Sequence, residues 1–147
     1  MDGAVATVSA AALSLSADTR RTAGVILLTV LAIEWGGWYL LNVARGRVQR
    51  TPLQQRFERA GHAHAGVLVI LALVGLLFAD AAQMPRWLEL PARNGIAAAA
   101  VLVPAGFFLS VIGSGVTRPS RLLVLVHLGM LSLGLGATAL AVGLLIF

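Results

Sequence analysis

The chain of 147 residues contains no cysteine and no lysine. The first absence excludes disulfides, thiolate metal sites and cysteine nucleophiles. The second leaves positive charge to arginine alone, 11 residues against 6 acids for a net charge of +5. Charge is scarce altogether, at 12% of residues, while 59% are hydrophobic. No Gly-rich phosphate loop, Gly-x-Ser-x-Gly elbow or His-Glu-x-x-His site occurs, and histidine appears only three times. A composition this apolar belongs to a membrane protein.

What the chain does have is long apolar runs. Three segments are nearly free of charge and a fourth carries one acid, Glu34; the four cover 23–43, 61–79, 94–113 and 122–147. Helices rise 1.5 Å per residue, so about twenty residues cross a hydrocarbon core roughly 30 Å thick. The expected fold is all-α, an integral membrane four-helix bundle forming one domain over residues 23–147, preceded by a non-cytoplasmic segment, 1–22. That segment resembles a secretion signal in length, but its start holds Asp2 and no positive charge. Ser16 or Asp18 is the expected N-cap of the first span.

Arginine also gives the orientation. Arg45, Arg47, Arg50, Arg56, Arg59, Arg118 and Arg121 flank the connections between spans one and two and spans three and four, against Arg20, Arg21, Arg86 and Arg93 on the other side. The excess predicts both termini outside the cytoplasm, in a cell inner membrane. Arginines beside membrane ends, with no accompanying motif, do not indicate nucleic acid.

Local signals refine the elements. Thr51 and Pro52 form an N-cap and first helical position, so the second helix starts well before the membrane. "DAAQMPRWLELPARNG", with Pro85 and Pro91 around Trp87, reads as a short interfacial segment. Small residues recur along span four at Gly129, Ser132, Gly136, Ala139 and Gly143, and along span two at Gly61, Ala65, Ala72, Gly75 and Ala79. Such stripes let membrane helices approach closely. Pro104 removes a backbone donor inside span three and should kink it or open a gap.

An ionisable group in a bilayer is costly, about 2.5–3.5 kcal/mol even on permissive scales, and so marks candidate function. The intramembrane set is Glu34, His62, His64 and His127. His64 lies about 6 Å inward from Ala60 and His127 about 9 Å inward from Arg121, while Glu34 is about 15 Å from Ala44. This depth pattern places Glu34 about a turn beneath the histidines as an acid–base or supporting group. His62 and His64 diverge by about 200° around the helix, so one is the ligand candidate and the other a neighbour. His64 shares its face with Gly61, Leu68, Leu71 and Gly75, which leave room for a planar group, and is slightly favoured. His62 shares its face with Glu58. The competing reading has an interfacial His62, a His127 bonded to a backbone carbonyl across the bundle, and a protonated Glu34 bonded to Trp35, Trp38 or Tyr39.

The run "RAGHAHAG" leading into an aliphatic span resembles the second helix of the membrane-bound styrene oxide isomerases, small four-span proteins that bind haem b as a Lewis acid through a histidine on this helix. It is also similar to histidine-bearing spans of haem-copper oxidase catalytic subunits, and the hydroxylaminobenzene mutases share the four-span plan. The resemblance covers residues 59–78, together with size and span number. It implies His62 or His64 as an axial haem ligand, His127 as a second ligand or pocket residue, and a trimer or similar homo-oligomer in membrane lipid. The chain departs from the isomerase pattern after the histidines, where Val67 to Leu71 supply no asparagine. Its one tyrosine is Tyr39, and Asp80 sits at the outer end of span two. Epoxide chemistry is therefore not carried over.

The expected function is a haem b site, or another metal site, built on His64, His62 and His127. Its chemistry would be Lewis-acid isomerase-like or redox chemistry on an apolar small molecule, with Glu34 the catalytic acid. The alternative is a non-enzymatic transport or assembly subunit with Glu34 and the histidines as a proton-linked site. The orientation has a direct check in a chain free of native thiols. Gln83→Cys should react with a membrane-impermeant maleimide on intact cells, and Gln49→Cys only after permeabilisation; the reverse pattern would invert the topology.

Overall fold

The computed structural model describes residues 15–147. Each apolar segment falls mainly in one helix: α1 (Ala17–Ala44), α2 (Pro52–Ala81), α3 (Arg86–Leu109) and α4 (Val124–Ile146), the last entered through a 3₁₀ turn, Arg121–Leu123. All four are long and apolar enough to cross a membrane. Residues 1–14 of the expected N-terminal segment lie outside the described residues, and its end is helical from Ala17 onward.

The helix starts follow local chemistry. Ser16 caps α1, its Oγ accepting from the Thr19 N–H at 3.1 Å. Thr51 and Gln54 form a reciprocal capping box at the head of α2, with Pro52 at the first turn. One expectation is corrected at α3. The stretch around Trp87 is the opening of that helix rather than a separate interfacial segment, with Pro85 at the N-cap position. Pro91 sits close enough to the start to be carried within the helix, withholding only the N–H that would reach the Trp87 carbonyl. The other end of α3 comes earlier than residue 113. The helix stops at Leu109, and the chain then turns through Gly113 and Gly115, whose φ values of 124° and 66° suit glycine.

Small residues set the packing. A Cβ built on Gly95 of α3 would fall 2.7 Å from the Gly136 Cα of α4, one on Gly106 would fall 2.6 Å from the Val126 nitrogen, and one on Gly129 would fall 2.6 Å from the Val103 side chain. Ser132 Oγ donates to the Gly95 carbonyl at 2.9 Å across the same seam. The span-four stripe is therefore the α3–α4 interface, where backbones meet with no side chain between. The span-two stripe is buried as well, with Gly61 against Phe107 and Phe108 and Gly75 against Ile96. The core runs along α2, α3 and α4 through Leu68, Leu76, Ala92, Ile96, Val103 and Leu140.

Polar fasteners hold the two ends. On the side of the α1–α2 and α3–α4 connections, Gln54 Nε2 donates to the carbonyls of Val111 and Gly113, both at 2.9 Å, and Thr51 Oγ1 donates to Val116 O at 2.6 Å. At the opposite end Arg93 pairs with Asp80 at 2.6 Å and Glu89 at 2.8 Å and reaches Thr19 and Ser16, while the Ser16 N–H donates to Asp80 at 3.0 Å. This cluster pins the start of α1 to the end of α2 and the first turns of α3. Between the fasteners α1 leans on α2 and stands away from α3, with Leu28, Leu31 and Trp38 exposed on its outer face.

The glycine seam predicts a mutational contrast. Gly136→Val should cost about 2 kcal/mol or more by overpacking the α3–α4 contact, whereas Gly66→Ala, which meets open space, should be neutral or slightly stabilising. Thermal unfolding in detergent measures both, and equal effects would refute the seam.

Candidate functional site

Because α1 parts from α3, a groove of about 580 Å³ opens between them with α2 as its floor. Each helix supplies one face at helical spacing: Thr29, Ala32, Gly36 and Tyr39 from α1, Glu58, His62 and Ala65 from α2, and Ala100, Pro104 and Phe108 from α3. The walls are mostly apolar. Pro104 is buried here, so its removed N–H leaves the Ala100 carbonyl without its helical donor, and both residues line the groove. The span-three proline thus belongs to a gap between helices.

Polar groups gather at one end. Tyr39 OH donates to Glu58 Oε1 at 3.0 Å, Arg50 Nε lies 3.2 Å from that oxygen and also reaches Tyr39 OH, and Arg50 Nη1 donates to Gly113 O at 3.1 Å. The Arg50 guanidinium also stacks over the Tyr39 ring, 5.6 Å from its centroid. Glu58 is deeply buried, its side chain 6% exposed, and its second oxygen, Oε2, has no hydrogen-bond partner. His62 follows one turn later on the same face. Its ring lies against α1 where Gly36 and Gly37 carry no side chain, within 3.5 Å and 3.4 Å of the points where their Cβ atoms would be.

The expected site residues are spread differently. His62 is on the groove wall, but His64 is on the exposed outer surface of α2 beside the Phe107 ring, centroids 5.3 Å apart. His64 Nδ1 is 2.7 Å from the Ala60 carbonyl oxygen. A carbonyl only accepts, so in this hydrogen bond Nδ1 is the donor. His127 is also exposed, with Nδ1 3.2 Å from Leu123 O. Glu34 is on the exposed face of α1 and does not line the groove. It is two positions from Gly36, about 200° around the helix, and so points away from the face that Gly36 shares with Tyr39. The histidines and Glu34 are not gathered, and the described residues hold no group of three His, Asp or Glu placed to share a metal ion.

Reading intramembrane charge as the mark of function passed over Arg50 and Tyr39 and saw Glu58 only as a neighbour of His62. The sequence does hold a signal for Glu58, since it falls on the buried stripe of α2 one turn before Gly61 and two before Ala65. A charged side chain on a stripe that must be buried needs partners, and Tyr39 and Arg50 supply them. The chain matches no protein-family model, no curated protein and no solved structure.

Proposed function

We propose that this membrane protein binds an apolar small molecule, taken directly from the bilayer, in the groove between α1, α2 and α3. The carrying observation is the groove itself, about 580 Å³ with apolar walls and a compact polar end, within the range of ligand pockets, about 300–1,000 Å³. Hydrocarbon walls admit the body of the molecule and the Arg50–Tyr39–Glu58 cluster with His62 orients it. α1 forms the movable wall, because it is held chiefly by its ends and by α2.

A specific observation supports a second element, a haem b site at His64. An axial histidine commonly donates its other ring N–H to a carbonyl or carboxylate, which fixes the tautomer and raises its basicity. His64 has such a contact, with Nδ1 on Ala60 O, on an exposed surface of α2 beside Phe107. His64 would hold the group through its other ring nitrogen, and a second copy of the chain in a homo-oligomer would cover the exposed side of the site. Haem bound there would supply Lewis-acid or one-electron chemistry for an apolar substrate. The chain's own part is to orient the imidazole through the Ala60 carbonyl.

Both elements have direct tests in lipid nanodiscs. Aminoanthracene binding should weaken about tenfold or more in Ala32→Trp and Val101→Trp, which fill the groove, and stay unchanged in Leu145→Trp on the outer surface. Equal affinity in all three would remove the groove as the site. Absorption spectra after haem supplementation should show a Soret band that His64→Ala abolishes and His62→Ala and His127→Ala retain. Absence of the band sinks the haem element, and its loss in His62→Ala instead moves the cofactor into the groove.

A further inference from the structure

Arg50 is only partly engaged. Its Nε lies 3.2 Å from Glu58 Oε1 and reaches Tyr39 OH, and its Nη1 donates to Gly113 O at 3.1 Å. Nη2 carries two further N–H groups, and neither donates to any of the described residues. They are not sealed in. Glu58 Oε2 is the one buried side-chain nitrogen or oxygen left without a partner among the described residues, so Nη2 is accessible, and the Arg50 side chain as a whole is 26% exposed. The residues that hold the guanidinium, Tyr39, Glu58 and Gly113, all line the groove with it. The guanidinium therefore lies across the polar end of the groove with donors to spare.

The other end of the molecule shows how this chain satisfies such a fork. Arg93 meets two carboxylates at once, Glu89 through Nε at 2.8 Å and Asp80 through Nη2 at 2.6 Å. Arg50 has the first partner, Glu58, and lacks the second. The surrounding charge favours an anion in that place. Residues 44–60 and 110–123, which form this end, hold seven arginines and one acid, Glu58 itself. A cation meets that surplus as repulsion, and a neutral acceptor takes up an N–H but gains nothing from the charge. A carboxylate gains both, and its planar pair of oxygens matches the guanidinium.

The groove sets the shape of the rest. Its α1 wall runs from Thr29 to Tyr39, ten residues apart or roughly 15 Å of helix, and its α3 side runs from Ala100 to Val111. The deep end is apolar and lies within the spans, while Arg50 belongs to the connection outside them. A chain lying along this slot keeps its tail in the hydrocarbon and its head at the interface. Resting on the groove reading above, we propose that the natural occupant is a fatty acid, whose chain fills the groove and whose carboxylate accepts from Arg50 Nη2.

The test is displacement of aminoanthracene from the full chain in phosphatidylcholine nanodiscs by dodecanoate and by dodecanol, which share a chain and differ in the head. On the wild type, dodecanoate should displace the dye at about one-tenth the concentration of dodecanol. The double variant Arg50→Gln/Glu58→Gln removes both charges together, and the carboxylate advantage should vanish in it. Arg47→Gln, at an exposed arginine of the same connection, should keep that advantage. Comparing variants in discs of one composition cancels partition into lipid. A thermal scan verifies that the double variant is folded; if it is not, the wild type and Arg47→Gln decide. Equal displacement by the two compounds, or none by either, would overturn the carboxylate claim, and the groove reading stands as long as Ala32→Trp weakens dye binding. An advantage that survives the double variant, or disappears in Arg47→Gln, would assign it to the general charge of this end and overturn the Arg50 site. Loss of dye binding on exchanging phosphatidylcholine for phosphatidylglycerol, with no acid added, would make the head a lipid phosphate and overturn the fatty acid. Dye binding indifferent to Ala32→Trp would overturn the groove reading and this inference with it.

Discussion

A buried carboxylate holds the polar end of this molecule together. Glu58 joins α2 to Tyr39 of α1 and to Arg50 of the connection between them, and Arg50 passes the link on to the Gly113 carbonyl beyond α3. A lone charge at this depth is prohibitively costly, so the cluster can exist only as a set. Because Oε1 carries both partners, the geometry also leaves Oε2 pointing at no protein donor. The cluster that ties the helices together is also the polar end of the groove.

The bundle tolerates an open groove because its cohesion lies elsewhere. In lipid the hydrophobic effect does not drive helices together, so close backbone approach and internal hydrogen bonds must do so. Gly95, Gly106, Gly129 and Gly136 provide that approach between α3 and α4. The Arg93–Asp80 cluster and the Gln54 and Thr51 bonds fasten the ends. With α2, α3 and α4 so joined, α1 can pack on α2 alone and leave space toward α3. That space is bounded by residues whose small size or missing N–H prevents closure, Gly36, Ala32, Ala100 and Pro104 among them.

Much of the fold was legible because hydropathy, caps and small-residue spacing are local signals. The four spans, the Ser16 and Thr51 caps and both stripes are read directly from residue order. The α3 start was not, because two prolines in one stretch look like a loop, whereas the helix begins between them. The site was only partly legible. Helical geometry correctly separates His62 from His64, yet which of them faces another helix depends on how α1 sits on α2. In the structure the groove receives His62, since Gly36 and Gly37 leave room for its ring. Depth placed Glu34 beneath the histidines, but depth carries no azimuth, and Glu34 faces outward. Tyr39 and Arg50 join Glu58 across a helix connection, a pairing no single-segment pattern contains.

The most direct measurement is photo-crosslinking of an apolar diazirine probe to the protein in nanodiscs, with the labelled residues mapped by mass spectrometry with and without excess aminoanthracene. The account predicts labels on groove residues such as Thr29, Ala65 and Val101 that aminoanthracene displaces. Displaceable labels confined to the outer surface of α4, as at Leu135 and Leu145, would contradict it.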